Sequence, residues 1–343
     1  MFKSVPAGIP RCGVAAESVS VTQVSSIDLS LAAGEATHAE HGVAVVGRPL
    51  PDSRARARSV LRACRPRQWS KNALLLAAPA AAGVLGHGTV VLRVLGALAA
   101  FCMLSSATYL LNDVRDVEQD RRHHRKHLRP IASGAVSEAF ALRLAVALAL
   151  AGLALAALVR LEFAAVGVGY LALTAAYSLW LRHVIVADML VIAAGFVLRA
   201  VAGGAATGVG LSRWFLLVTS FGALFVVAGK RHAELFGRAH EVRGGATRTT
   251  LRLYSEPVLL AVLSAAAAGT IIAYALWATH RPEHGPWYEI TIAPVVCWLA
   301  RYALLVARGA GEAPEELILR DHALLALTLL WTALFLGGVY VGH

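Results

Sequence analysis

Three aspartates and a run of basic residues follow an apolar stretch and form the clearest chemical pattern of the chain. Asp113, Asp116 and Asp120 lie at positions i, i+3 and i+7, directly after Asn112. This spacing places the three carboxylates on one face of a helix. Carboxylates bind hard cations such as Mg²⁺ or Mn²⁺, and cationic side chains bind phosphate oxygens. The pattern therefore predicts a catalytic site in which Asp113, Asp116 and Asp120 hold a metal ion that carries a pyrophosphate.

Basic residues follow the aspartates at once. They are Arg121, Arg122, Arg125, Lys126 and Arg129. The alternative interpretation is a solvated loop in which the acids balance neighbouring arginines. Function is favoured because Asn112 and Asp113 continue an apolar span, where ionisable residues are costly. The histidines at 123, 124 and 127 lack further imidazole or thiolate partners, so charge and solvation explain them better than a transition metal does.

A second group of polar residues lies in and beside a later apolar span. Tyr177 and Arg182 precede Asp188 and Arg199, which are eleven residues apart. Eleven residues are three helical turns with a rise of about 16 Å, so Asp188 and Arg199 face the same way. We expect each to point into a polar cavity and to bind substrate. A structural pair would require other groups to bridge the gap between them.

A third group, at the end of another span, contains Lys230, Arg231 and Glu234. A compact ammonium and a planar guanidinium at the rim of a cavity suit phosphate binding. Lys230 and Glu234 are also spaced for a surface salt bridge, which is the alternative. Three basic residues lie further upstream, Arg65, Arg67 and Lys71. They fit either a substrate site or a membrane anchor, and we include Lys71 among the predicted substrate ligands.

The composition is that of a polytopic membrane protein. Of 343 residues, 57% are hydrophobic and 15% are charged, whereas soluble proteins carry about 25% charged residues. The mean hydropathy is +0.62. The net charge of +11 does not indicate nucleic-acid binding, because the basic residues cluster at the ends of apolar segments.

The predicted fold is all-α, a membrane bundle of about nine transmembrane helices. Each span approaches the ~20 residues that a bilayer requires. The spans are 72–87, 89–111, 137–158, 163–181, 184–206, 213–232, 255–279, 289–307 and 321–341. The first is short and contains Pro79, so eight spans are the alternative. Residues 1–58 are predicted to be a disordered tail and 59–343 the transmembrane domain, with an interfacial helix near 55–71 on an anionic leaflet.

The basic loops predict the orientation. The loops after the second and sixth spans carry many arginines and lysines and lie on the same side as the basic N-terminal segment. The positive-inside rule places that side in the cytoplasm. The N-terminus and the active site of this cell-membrane protein are therefore expected to be cytoplasmic, where phosphorylated substrates and magnesium are available.

The first motif, Asn112-Asp113 with Asp116, Asp120 and the later Arg129-Pro130-Ile131, resembles the first aspartate-rich motif of the UbiA superfamily of intramembrane prenyltransferases. The resemblance runs from about residue 60 to the C-terminus. It implies a nine-span helical bundle whose cavity opens to the cytoplasm and to lipid, and it is compatible with a homo-oligomer.

Three further stretches resemble a branch of the superfamily that transfers phosphoribose to a lipid phosphate, rather than the quinone or haem branches. They are residues 65–72, residues 214–217 with 229–235, and Leu319-Arg320-Asp321. Ordinary members carry a second aspartate-rich motif where this chain has Lys230, Arg231 and Glu234. Bases in place of acids suit a donor with an additional phosphate. Arg182 stands where the family has a lysine.

The resemblance implies an Mg²⁺-dependent enzyme that transfers 5-phosphoribose from phosphoribosyl pyrophosphate to a polyprenyl phosphate such as decaprenyl phosphate. Asn112 with Arg122, Arg125 or Lys126 would orient the pyrophosphate, and Lys230 and Arg231 would hold the 5-phosphate. Inversion at the anomeric carbon would yield a precursor for cell-wall arabinan. The alternatives are a conventional prenyltransferase that uses a prenyl pyrophosphate and an aromatic acceptor, and a non-enzymatic lipid transporter.

Overall fold

The computed structural model describes residues 53–181, 184–236, 254–280, 287–311 and 313–340, and all regular structure within these ranges is helical. Two short helices precede the first long one: α1 spans Ser53–Ala63 and α2 spans Ala77–Ala81, with a 3-10 helix over Pro66–Leu76 between them. The remaining helices are α3 (Gly88–Arg115), α4 (Val117–Arg122), α5 (Glu138–Val159), α6 (Leu161–Leu179), α7 (Ile185–Thr207), α8 (Arg213–Phe236), α9 (Glu256–Thr279), α10 (Trp287–Ile290), α11 (Ile292–Ala307), α12 (Pro314–Arg320) and α13 (His322–Tyr340).

Eight helical stretches are long and apolar enough to cross a membrane within the described ranges. They are α3, α5, α6, α7, α8, α9, α10 together with α11, and α13. The all-α membrane fold is therefore confirmed, and the count supports eight spans rather than nine. The predicted first span, 72–87, is not one continuous α-helix, because residues 66–76 form a 3-10 helix and Pro79 lies in an α-helix of five residues. The central cavity stays a prediction.

The predicted division into a disordered tail (1–58) and a transmembrane domain (59–343) stays a prediction. Residues 1–52 lie outside the described residues, so the predicted tail is described only from residue 53, and there the chain is already helical. The predicted interfacial helix at 55–71 is divided at Arg65, whose backbone is left-handed with a φ of 55°. After this turn the 3-10 helix packs on α3, where the Trp69 indole donates a hydrogen bond to Ser106.

Consecutive spanning helices alternate in direction, so the C-terminal ends of α3, α6, α8 and α11 share one side of the bundle. The N-terminal ends of α5, α7, α9 and α13 lie on that side too, and we call it the site end. Apolar clusters support it from within the bundle. One surrounds Phe225, Leu259 and Tyr302 on α8, α9 and α11. Another joins Leu75 of the 3-10 helix to Phe101.

The 3-10 helix approaches α7 very closely. Gly203 lies against the Leu75 backbone, and a Cβ atom at Gly203 would be 2.7 Å from the Leu75 carbonyl carbon. Only glycine permits this approach without a shift of one segment. The contact fixes the segment that carries Lys71 and Asn72 relative to the bundle.

Candidate active site

The aspartate motif lies at the site end, where α3 gives way to α4. Asn112 and Asp113 occupy the last turn of α3, Asp116 lies at the junction, and Asp120 lies in α4. The expected single helical face is interrupted at Asp116, whose ψ of 10° departs from helix geometry. Asp113 and Asp120 are nevertheless buried together, with 4% and 3% of their surfaces exposed. Asp116 is half-buried.

Two arginines compensate the buried carboxylates. One nitrogen of Arg129, Nη1, lies 3.2 Å from Oδ1 of Asp113 and 2.5 Å from Oδ2 of Asp120. Nη2 of Arg65 lies 2.5 Å from the same oxygen of Asp113. The two carboxylates therefore converge on one positively charged nitrogen.

The carboxylates of Asp113 and Asp120 fit a magnesium ion whose other ligands come from substrate and water. Within the described ranges, no three His, Cys, Asp or Glu side chains are grouped closely enough to hold a metal ion. Mg²⁺, however, is usually bound by one or two carboxylates, with substrate phosphates and water completing the octahedron. Asp113 and Asp120 can supply those carboxylates. The residues therefore fit a metal ion that arrives with pyrophosphate rather than one held permanently in a protein cage.

Arg65 and Arg129, rather than the basic residues that we predicted as phosphate ligands, form the ion pairs with the buried Asp113 and Asp120. Arg122 and Arg125 are exposed, and neither side chain forms an ion pair with any residue that the structure describes. Lys126 is half-buried in a short 3-10 turn. The structure instead brings Arg129 and Arg65 to the carboxylates. The roles of Arg122, Arg125 and Lys126 stay predictions.

Asn112 has a role in positioning. Its Oδ1 accepts a hydrogen bond of 2.5 Å from the Ser178 hydroxyl, and the Arg115 guanidinium donates to the Ser178 carbonyl. Both contacts join the end of α3 to the end of α6. They therefore hold the first aspartate of the motif at a defined place relative to Tyr177.

The second and third groups form one network. The Tyr177 hydroxyl donates to Asp188 over 2.7 Å, and Nη2 of Arg231 lies 2.7 Å from the other carboxylate oxygen. Nη1 of Arg231 bonds to Glu234. The Asp188 and Arg231 side chains are 3% and 7% exposed. Arg231 is therefore enclosed between two carboxylates and joins α7 to α8, an arrangement that the separate sequence patterns did not reveal.

Tyr254 packs in the apolar cluster beside this network. Burial and the nearby charge of Asp188 raise the pKa of Tyr254 to about 12, so its phenol stays protonated at neutral pH. Sequence reasoning missed Tyr254, because nothing in its neighbourhood along the chain distinguishes it.

Arg199 belongs to a different network from Asp188. It donates from Nε to Asn72 at 3.0 Å, from Nη2 to Tyr170 at 2.9 Å, and from Nη1 to the Gly195 carbonyl at 2.8 Å. The residue is 6% exposed. Protein groups thus engage all three guanidinium nitrogens, which secures the 3-10 helix to α6 and α7. Arg182 lies outside the described residues.

A pair of lysines completes the site end. Nζ of Lys71 lies 3.5 Å from Oε1 of Glu315, and Nζ of Lys230 lies 3.9 Å from Oε1 of Glu234. About a third of the Lys230 side chain is exposed, so Lys230 is more accessible than Arg231. Burial lowers the pKa of Lys71, and the Glu315 charge partly opposes that effect. Lys71 and Lys230 are near enough for their charges to interact.

The fold and this acidic and basic site define a polytopic α-helical membrane protein with its polar chemistry at one end of the bundle. The model of the UbiA prenyltransferase family matches residues 73–328. The chain belongs to the UbiA prenyltransferase family.

Relatives and solved structures agree with this assignment. The decaprenyl-phosphate phosphoribosyltransferase of Corynebacterium glutamicum is 42% identical, over 83% of this chain and 88% of its own length. The protein of the same name from Mycobacterium tuberculosis H37Rv is 43% identical, over 80% and 92%. A UbiA homologue from Archaeoglobus fulgidus, solved with GPP and Mg²⁺, superimposes with a TM-score of 0.61 at 20% identity, over 83% of this chain and 99% of its own.

These findings confirm that the protein is a multi-pass membrane protein and a transferase of the UbiA family. The interpretation as a non-enzymatic transporter is thereby set aside. Structures of family members with bound Mg²⁺ support divalent metal use in the family.

Proposed function

We propose that the enzyme transfers 5-phosphoribose from phosphoribosyl pyrophosphate to a polyprenyl phosphate, with decaprenyl phosphate the acceptor indicated by the relatives' names. The observation that carries the proposal is the presence of two cationic groups at one end of the bundle. Arg65 and Arg129 accompany the aspartates, and Lys71 and Lys230 form the second group. A donor with a pyrophosphate at one end and a phosphate at the other requires two such groups.

The pyrophosphate would bind at the aspartate motif. Asp113 and Asp120 would hold Mg²⁺, with Asp116 beside them, and Mn²⁺ would serve as a substitute. When bound, the metal ion neutralises charge that develops on the departing pyrophosphate. Arg65 and Arg129 pair with the carboxylates in this structure, and their N–H groups would bind pyrophosphate oxygens if the carboxylates held a metal ion. Asn112 would hold the end of α3 against the end of α6 through its hydrogen bond with Ser178.

The transfer step is a substitution at the anomeric carbon. An oxygen of the lipid phosphate forms a bond to C1 of the ribose as the bond from C1 to the pyrophosphate oxygen breaks, and the electron pair leaves with pyrophosphate. The second pKa of a phosphate monoester is about 6, so the attacking oxygen is largely ionised at neutral pH. The site therefore requires no strong general base. Attack opposite the leaving group inverts the anomeric centre.

The 5-phosphate would lie between Lys230 and Lys71. Arg231, which sequence reasoning also assigned to this phosphate, is enclosed by Asp188 and Glu234 and would position the end of α8. Tyr177 would support Asp188 in the same network. Arg182 stays a predicted substrate ligand on the basis of its place in the sequence.

The basic loops favour a cytoplasmic site and a cytoplasmic N-terminus. The polyprenyl chain of the acceptor would lie in an apolar groove open to the bilayer. The product, a polyprenyl-phosphoryl phosphoribose, would supply precursors of cell-wall arabinan.

The test is transfer of radiolabel from phosphoribosyl pyrophosphate into organic-extractable lipid by the purified protein with decaprenyl phosphate and Mg²⁺. We expect labelled lipid that disappears with EDTA and in Asp113→Asn, and that returns when Mg²⁺ or Mn²⁺ replaces the chelated metal. Glu118→Gln is the matched control, because Glu118 is an exposed acid of α4 that pairs with Arg121. Absence of label, together with transfer from a prenyl pyrophosphate to an aromatic acceptor, would overturn the proposal in favour of the conventional reaction.

A further inference from the structure

Glu315 is an acidic residue in contact with Lys71, one of the two lysines of the proposed phosphate site. It lies at the start of α12, and its Oε1 is 3.5 Å from Nζ of Lys71 and 3.4 Å from Nε2 of Gln68. The contact with Gln68 joins residues 247 positions apart in the sequence. About a quarter of the Glu315 side chain is exposed. The carboxylate is therefore held at the rim, with part of its surface open to a ligand.

The helix that carries Glu315 is firmly attached. Asp321, directly after α12, accepts two contacts from Arg301 at 3.3 and 2.7 Å. The same side chain caps α13 by accepting a hydrogen bond of 2.9 Å from the Leu324 amide. The position of Glu315 is thus set by α11 and α13 as well as by Lys71.

Glu315 is ionised at neutral pH. Burial alone would raise its pKa, but the charges of Lys71 and Lys230 and a backbone hydrogen bond hold the pKa below the ordinary value. An ionised carboxylate only accepts hydrogen bonds. Its charge also reaches the Tyr109 hydroxyl, and the Tyr109 ring lies 5.2 Å below the Arg65 guanidinium. Glu315 is therefore an ionised hydrogen-bond acceptor beside Lys71.

A carboxylate at this place is unfavourable for phosphate binding alone, because it repels an anion and competes with it for Lys71. It suits a ligand that also has hydroxyl groups. In phosphoribosyl pyrophosphate the two ribose hydroxyls lie on the ring between the pyrophosphate and the 5-phosphate. Acidic side chains bind ribose hydroxyls in this way in dinucleotide sites.

We propose that Glu315 accepts hydrogen bonds from the ribose hydroxyls of the donor and so selects a phosphoribosyl group over donors without hydroxyls. This inference rests on the proposed function and adds a specificity-determining residue to it. Lys71 then has two tasks, since it orients Glu315 and faces the 5-phosphate.

The experiment measures binding of ribose 5-phosphate, 2-deoxyribose 5-phosphate and 3-deoxyribose 5-phosphate to the full-length purified protein by calorimetry. The ratio of the Kd values isolates the hydroxyl contact from any effect on the phosphate. In the wild type we expect at least one deoxy compound to bind about 10- to 100-fold more weakly, as for loss of a hydrogen bond to a charged group. Glu315→Ala should reduce this ratio to about 1–3, and Glu315→Gln should give an intermediate ratio.

Glu316→Ala is the matched control, because Glu316 is the exposed neighbour that pairs with Arg320 within α12. It should keep the wild-type ratio. An unchanged ratio of Kd values in Glu315→Ala would overturn the inference. If all three compounds also bound more tightly to this variant, Glu315 would be shown only to compete with phosphate. If the wild type transfers phosphoribose but binds none of the three compounds or binds all three equally, or if Glu315→Ala leaves the ratio unchanged, the inference alone fails. If the wild type binds none of the compounds and transfers no label, the proposed function fails with it.

Discussion

Arg231 and Lys230 are adjacent, yet the structure predicts opposite consequences for their replacement by methionine. The Arg231 side chain is 7% exposed and lies 2.7 Å from Asp188, which is 3% exposed. Arg231→Met would leave a buried carboxylate without its cation, and breaking such a pair costs about 3–5 kcal/mol. Lys230 is a third exposed and lies 3.9 Å from Glu234, so its ion pair contributes at most about 1 kcal/mol.

The two variants should therefore differ in the free energy of unfolding and in the KM for phosphoribosyl pyrophosphate. Reversible denaturation in detergent should show a loss of about 3–5 kcal/mol in the free energy of unfolding for Arg231→Met. Lys230→Met should lose less than about 1 kcal/mol. The KM for phosphoribosyl pyrophosphate should rise about 10- to 100-fold in Lys230→Met, as expected when one charge-assisted contact to phosphate is removed.

A double-mutant cycle provides the control. Asp188→Asn combined with Arg231→Met should cost clearly less than the two single changes added together, because each single change leaves the other partner unpaired. Our reasoning would be refuted if Arg231→Met folded with normal stability and raised only the KM. Equal destabilisation by Lys230→Met would refute it as well.

Two further predictions concern the 3-10 helix. Gly203→Ala should destabilise the protein by at least about 1–3 kcal/mol and reduce activity, because the new methyl group would overlap the Leu75 backbone. In a thermal unfolding assay Gly169→Ala, whose methyl group would meet open space, should be neutral or stabilising, and equal effects would contradict the steric argument. Because burial lowers the pKa of Lys71, the KM for phosphoribosyl pyrophosphate should begin to rise at a lower pH than for an ordinary lysine. Lys71→Arg should shift that rise to higher pH in a pH profile of the KM, and an unshifted profile would exclude Lys71 as the titrating group.

The aspartate motif shows how far local pattern can predict a site. Asp113, Asp116 and Asp120 are recognisable because their spacing follows the helical repeat and because ionisable residues at the end of an apolar span are costly. The partners of the carboxylates were less predictable. Among many arginines near the motif, only folding determines that Arg129 and Arg65 reach Asp113, whereas Arg122 and Arg125 remain exposed.

The sequence was enough to establish the class of the protein, because apolar segments of bilayer length and the position of the basic loops depend only on local composition. It also determined the family, through motifs that are contiguous in the chain. Tertiary structure alone decided that Asp188 pairs with Arg231, that Arg199 binds Asn72, and that Glu315 meets Lys71. These contacts join distant segments, and helix spacing specifies only which residues share a face, not which face of another helix they meet.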